Sequence, residues 1–300
     1  MYRKLQYLSS LGIPMRKWVT NPSIMSVLLY HKSRKMPSPW FVQAEPSRSC
    51  NLHCPHCVPI ERGGLMQFET FKSIVDTNRN LQYVKLQGLG EPLMNPHLAT
   101  MAAYAKAREC RTEVISNGTI CPEQDLLDCV DTYVVSMETC DPEKYASIRG
   151  ISIRFVQNTL GVLRDNFDGN IGINCVLTGD TTDEDVEGIK EFAKQYGAFV
   201  TTPMMQNWLS PGQPGYDEMR NKVSDALWAH RGKFGLEDMH QERWCQWAYT
   251  QAFYDYHGRL HPCCIRMSDC YDLGKDWNGL QMQTFRKERK GHSFCKNCPL

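Results

Sequence analysis

Three cysteines stand together early in the chain, in Cys50-Asn-Leu-His-Cys54-Pro-His-Cys57. The spacing is three residues and then two. Three thiolates so placed can wrap one face of an iron–sulfur cluster, because a short loop can turn its backbone N–H groups toward the sulfides. On a four-iron cube three ligands leave one iron open to a substrate or cofactor. The same residues also read as a zinc site, with His53 or His56 supplying the fourth ligand.

A second set comprises Cys245, Cys263, Cys264, Cys270, Cys295 and Cys298. Twelve residues separate Cys245 from Gly258, and four separate Gly258 from Cys263. The stretch from Asp255 to Cys264 reads as a β-hairpin with His257-Gly258 at its turn, and a hairpin can return Cys263 toward Cys245. Cys295-Lys-Asn-Cys298 adds a close pair. Two ligands plus two fit one cluster; the alternative is a closed four-cysteine zinc knuckle that serves folding alone. Cys264 and Cys270 are spare, and burial as small apolar side chains is the commonest fate of such thiols. Cys110, Cys121, Cys129, Cys140 and Cys175 carry no ligand spacing.

The elements that must position these residues alternate. Strands are expected at Trp40 to Ala44, Tyr83 to Leu86, Glu113 to Ile115, Tyr133 to Ser136, Ile171 to Leu177 and Phe199 to Thr201. Helices are expected at Phe68 to Asn78, Pro96 to Arg108, Gln124 to Val130, Pro142 to Ile148 and Ile153 to Phe167. A further helix ends at Tyr196-Gly197 and opens with a capping box on Thr181 and Glu184. Strands and helices in turn, joined by short connections, imply an α/β fold with a parallel sheet built from crossovers. Six such units make an incomplete barrel or an open wound sheet, and chemistry then collects at the carboxyl ends of the strands. A Pro/Gly stretch from Ser210 to Gly215 breaks the pattern, and a boundary is placed between about residues 232 and 242. The expected division is a basic arm over 1–38, a barrel over 39–235 and a cysteine-rich domain over 240–300.

Composition narrows the class. The 300 residues include 34 basic and 33 acidic side chains, a net charge of +1, which gives no reason to expect a nucleic-acid partner. The 14 cysteines lie in a chain long enough to bury a real core, so clustered thiols point to metal more than to disulfides. No apolar run approaches the roughly 18–20 residues of a membrane span, and Val27 to Tyr30 is too short for a signal peptide, so a soluble cytoplasmic protein is expected. The first 44 residues hold seven basic side chains and no acid. They read either as an arm touching an anionic surface, such as a membrane face or an acidic partner, or as a solvated helical lead-in. Pro14 and Pro22 interrupt a weak apolar stripe and favour the lead-in.

The first cysteine motif, following the first strand, resembles the signature of the radical S-adenosylmethionine (radical SAM) superfamily. His56 stands before the last cysteine, where that family usually has His or an aromatic residue. Gln87-Gly88-Leu89-Gly90-Glu91-Pro92 resembles the segment that holds the SAM amino group: a carbonyl or carboxylate at a strand end accepts from an ammonium, and glycines let the backbone approach. Ser116-Asn117-Gly118 and Ser136-Met137-Glu138 end the next two strands, where relatives often have Thr-Asn-Gly and Ser-x-Asp. The resemblance makes Asn117 a cofactor contact, Ser136 a candidate ribose or carboxylate contact, and Glu138 a cofactor-binding position at which relatives carry Asp. Arg149 in Ile148-Arg149-Gly150 would pair with the SAM carboxylate, and Asn174 is a further ribose candidate. The second cysteine set resembles the SPASM/Twitch extension of the same enzymes, in its one-cluster Twitch form. The implied fold is a partial (β/α)6 TIM-like barrel with a small cysteine-rich C-terminal domain.

What the resemblance implies is a 4Fe–4S cluster on Cys50, Cys54 and Cys57 that binds SAM. An auxiliary iron–sulfur cluster, expected as 4Fe–4S, would sit on Cys245, Cys263, Cys295 and Cys298. SAM cleavage would yield a 5′-deoxyadenosyl radical that takes hydrogen from a substrate C–H bond. Flavodoxin or ferredoxin is the implied electron donor. An auxiliary cluster suits oxidation, meaning dehydrogenation or crosslinking of a peptide or a sugar-like small molecule. Asp269 is the candidate base, and Arg266 would meet an anionic substrate group. A redox-neutral epimerase, with Cys264 or Cys270 giving hydrogen to the substrate radical, is the second reading. A non-enzymatic metal or electron-transfer module is the third.

Overall fold

The computed structural model of the protein describes residues 36–57, 63–205, 214–230, 245–264, 272–291 and residue 295. The basic segment through residue 35, the expected boundary at 232–242, and Arg266, Asp269, Cys270 and Cys298 lie outside them.

Six strands form the parallel sheet expected from the alternating pattern. They are β1 Phe41–Ala44, β2 Tyr83–Leu86, β3 Arg111–Ser116, β4 Thr132–Ser136, β5 Asn170–Asn174 and β6 Phe199–Thr201. Their spatial order is their sequence order. Ala44 lies opposite Leu86, and Leu86 opposite Val114. Residues opposite one another in a sheet share a face, and the side-chain period is two. One face therefore carries Val42, Ala44, Val84, Leu86, Val114, Val135, Ile171 and Ile173, all in the main apolar core. Gln43, Lys85, Glu113 and Asn174 alternate with them on the other face, and Lys85 pairs with Glu113 at 3.0 Å.

Helices cover the apolar face. They are α1 Phe68–Thr77, α2 Leu98–Ala107, α3 Gln124–Leu127, α4 Pro142–Arg149, α5 Arg154–Asn166 and α6 Asp183–Lys194. Each buries a helical stripe: Phe71, Ile74 and Val75 from α1, Val156, Leu160 and Leu163 from α5. Burying such a side chain stabilises the fold by about 1.5–3 kcal/mol. The capping box of α6 lies one residue later than expected, on Thr182 and Asp185. Thr181 is buried, and its hydroxyl accepts from the Thr178 N–H at 2.9 Å. A further helix, α7 Tyr216–Ala229, follows the sheet, and α8 Gln246–Tyr249 leads into the last strands.

The expected C-terminal hairpin is present but begins earlier, with β7 Gln251–Tyr254 and β8 Leu260–His261 antiparallel. Gly258 takes φ +75° at the turn, a conformation suited to glycine. The Asp255 carboxylate caps that turn by accepting from the N–H groups of His257 and Arg259. The sequence pattern did not show that β7 pairs in parallel with the free side of β1, Phe41 opposite Gln251 and Ala44 opposite Tyr254. The hairpin thus extends the main sheet to eight strands. The last helix, α9 Leu280–Glu288, docks through buried Arg286. That guanidinium donates to Ala248 O at 2.7 Å and Trp277 O at 2.9 Å. No described helix is long and apolar enough to cross a membrane.

Candidate active site

Parallel strands place their carboxyl ends on one edge, so the loops after β1, β2, β3 and β4 are neighbours there. The loop after β1 carries Cys50, Cys54 and Cys57, each half-buried and free of disulfide. The Cys57 N–H closes a turn on Cys54 O at 2.9 Å. The loop after β2 lies against the start of this one. Gly90 N–H donates to Ser47 O at 3.1 Å, and Glu91 N–H to Ser49 O at 2.8 Å. A side chain on Gly88 would meet the Glu45 side chain, and one on Gly90 would meet the backbone oxygens of Ser47 and Ser49.

Glu91 is buried and its carboxylate is used within the protein. It accepts from Leu93 N–H at 3.1 Å, Ser116 Oγ at 2.9 Å and Asn117 N–H at 2.7 Å. Burial pushes its carboxyl pKa up, against the downward pull of those hydrogen bonds. Glu91 therefore straps the β2 loop to the end of β3, and Pro92 opens a short 3₁₀ turn that Glu91 caps. Strapped in this way, Asn117 reaches the cysteine loop. Its amide donates to Asn51 Oδ1 at 2.9 Å and lies 3.8 Å from Cys50 Sγ.

The end of α4 approaches the same loop from the other side. Arg149 is 8% exposed and donates two hydrogen bonds to the fully buried Glu138 carboxylate, one at 2.8 Å. Its Nη1 lies 3.9 Å from Cys54 Sγ, and its carbonyl oxygen is at the same distance. Burial alone would lower the Arg149 pKa; the Glu138 carboxylate outweighs it and holds the guanidinium charged. Burial raises the Cys54 thiol pKa while Arg149 pulls it down, with the net direction upward. His56 is pushed toward its neutral form by burial and by Arg149, and it bonds to the main chain of Ile148. Two buried polar atoms beside this group, His56 Nδ1 and the Tyr145 hydroxyl, have no hydrogen-bond partner.

The remaining expected residues are dispersed. Ser136 and Asn174 end paired strands opposite one another, and Asn174 accepts from Thr201 Oγ1 at 2.9 Å. Cys245 and Cys295 both lie within electrostatic reach of Arg289, which bonds Tyr249. Cys263 and Cys264 follow β8 and are half-buried. Among the described residues, no three His, Cys, Asp or Glu side chains are drawn around a common centre as metal ligands.

Comparison with known families decides the class. Residues 44–193, half of the chain, match the family model described as the Radical SAM superfamily. The chain belongs to the radical SAM superfamily. No curated protein matches it. Three solved structures show the same fold. One is SuiB of Streptococcus suis bound to its precursor peptide SuiA, at 14% identity and TM-score 0.64 over 87% of this chain and 69% of that one. A second is anSMEcpe with bound AdoMet, at 15% identity and TM-score 0.58 over 87% and 88%. The third is BtrN in complex with AdoMet and 2-DOIA, at 15% identity and TM-score 0.52 over 89% and 95%. The family implies SAM and a 4Fe–4S cluster, and the expected parallel α/β sheet agrees with its partial barrel.

The residues present fit that cluster. Three thiols share one loop, nitrogen donors from Asn117 and Arg149 face two of them, and two buried polar atoms stand free nearby. The sequence did not reveal Glu45, Arg48 and Tyr256, which hold these loops, or Tyr145, which is buried beside Arg149. The available signals were small: Glu45 is the first carboxylate in the chain and directly follows the first strand, and Tyr145 stands one helical turn before Arg149.

Proposed function

We propose that this protein is a radical SAM oxidoreductase that oxidises a peptide or a sugar-like small molecule by dehydrogenation or crosslinking. The observation that carries the reading is the cysteine loop at the end of β1, packed between the Gly88–Glu91 loop and Arg149. Cys50, Cys54 and Cys57 would hold the 4Fe–4S cluster. When bound, cluster and SAM together supply an electron and a 5′-deoxyadenosyl radical able to take hydrogen from a C–H bond.

The chain's own residues do the positioning. The Gln87–Pro92 segment offers main-chain oxygens to the SAM ammonium, with Gly88 and Gly90 allowing close approach. Asn117, Ser136, Glu138, Arg149 and Asn174 are the proposed neighbours of the rest of SAM. Cys245, Cys263, Cys295 and Cys298 are the proposed ligands of one auxiliary cluster in a Twitch-type C-terminal domain. Asp269 is proposed as the base and Arg266 as the contact for an anionic substrate group. Peptide substrates are supported by the fold shared with SuiB, bound to its precursor peptide, and with anSMEcpe, bound to peptides. The small-molecule version is supported by the fold shared with BtrN, bound to 2-DOIA. A low-potential protein such as flavodoxin or ferredoxin is the proposed donor.

The test is formation of 5′-deoxyadenosine. Anaerobically reconstituted, reduced protein with SAM is expected to release it, and Cys54→Ala is expected not to. Its absence from parent protein with intact reduced clusters, in the presence of candidate peptides and sugar-like small molecules, would reject the reading.

A further inference from the structure

We propose that the buried Glu138–Arg149 pair sets the charge beside Cys54, so that each partner shifts the reduction potential of the bound cluster in the opposite direction. This rests on the reading that Cys50, Cys54 and Cys57 hold a 4Fe–4S cluster. It assigns the pair a role toward the cluster itself, beside the SAM contacts proposed above.

The geometry singles out one thiol. Arg149 Nη1 and Arg149 O both lie 3.9 Å from Cys54 Sγ. The guanidinium cannot swing away freely, because Glu138 holds it through two hydrogen bonds and both side chains are buried. Its helix is fixed at both ends. Asp141 caps the start of α4 by accepting from Glu143 N–H and Lys144 N–H, and Gly150 closes the end with φ +74°. One turn back, the buried Tyr145 hydroxyl stands within electrostatic reach of Arg149, Glu138 and Cys54, with no hydrogen-bond partner. His56 bonds the Ile148 main chain, so the loop and the helix end are also joined two residues beyond Cys54.

Reduction adds one electron to a cluster and takes one from a low-potential donor such as dithionite. The added negative charge is stabilised by a nearby cation and opposed by a nearby anion. Charges in a buried site interact strongly because little water screens them. In the parent the two charges largely offset one another. Removing one leaves the other uncompensated, and the sign of the shift reports which remains.

The experiment is an EPR-monitored redox titration of reconstituted protein without SAM, which separates this role from any contact with SAM. Glu138→Gln is expected to favour the reduced cluster about tenfold, an upward shift of about 59 mV for one electron. Arg149→Gln is expected to disfavour it to a similar extent, and the double variant to return near the parent. Should Arg149→Gln fail to take up iron, Glu138→Gln in an Arg149→Lys background must still shift upward. Shifts of one sign in both single variants, or unmoved potentials with normal cluster content, would overturn the inference alone. A parent that takes up no iron–sulfur cluster at all overturns the cluster reading and this inference with it.

Discussion

A methyl group on Gly90 would sit 2.4 Å from Ser49 O and 2.5 Å from Ser47 O. Both are main-chain atoms of the segment leading into Cys50, so neither can rotate aside. Gly90→Ala must push the two loops apart, and overpacking of this kind costs about 1–3 kcal/mol. Gly161 is the control. It lies inside α5 with nothing within 4 Å of an added carbon, and alanine there is expected to stabilise by about 0.5–1 kcal/mol. Urea denaturation of both variants should therefore give opposite signs, with weakened iron uptake in Gly90→Ala only. A stable Gly90→Ala with full iron content would mean the close approach does not position the loop. The glycines were legible as a motif; the reason for them was not, since the atoms they avoid lie some forty residues earlier in the chain.

At the scale of elements, the short strands and their helices were legible because each buries one face and leaves a period-two or helical stripe in the sequence. Local chemistry was harder to place by one residue. Thr181 and Thr182 are chemically identical, and tertiary packing chose between them: Thr181 turns inward to Thr178, and Thr182 caps α6. The chosen cap brings Asp185 against Lys144 and Thr139, so it also ties α6 to α4 and to the residues just after β4. Burial raises the Asp185 carboxyl pKa, but the Lys144 ammonium and the Thr139 and Thr182 groups outweigh it and hold the value at about 2. The unfolded carboxyl titrates near 3.8. A depressed folded pKa means the contribution is complete above about pH 4 and is lost as pH falls from there toward 2. The expected size is on the order of 1 kcal/mol after solvent screening. The stability gap between parent and Asp185→Asn should then be constant from pH 5 to 7 and narrow below pH 4. A gap independent of pH would show that the charge of Asp185 contributes nothing.

Across the whole molecule, one carboxylate joins three segments far apart in the chain. Glu45 is fully buried at the end of β1. It binds Arg48 through two hydrogen bonds, at 2.8 and 3.3 Å, on the way to the cysteine loop. It accepts from Leu89 N–H at 3.0 Å in the loop after β2, and from Tyr256 N–H at 3.3 Å in the hairpin turn. Arg48 in turn lies over the Tyr256 ring, 4.9 Å from its centre. No sequence pattern predicts this, because a lone carboxylate has no spacing to read and its partners are set by the pairing of β7 with β1. The arrangement couples the proposed SAM loops to the strand pair that leads to Cys263. Glu45→Gln leaves Arg48 largely buried without its counter-charge, and breaking such a pair costs about 3–5 kcal/mol. Replacing both, as Glu45→Gln with Arg48→Met, should recover part of that loss because an apolar side chain tolerates the site. The distinguishing readout is amide hydrogen exchange. Coupling predicts faster exchange at Leu89 and Tyr256 together in Glu45→Gln, with α5 and α6 unchanged. Acceleration in only one of the two loops would show that Glu45 holds that loop alone and leaves the hairpin independent of the SAM-facing edge.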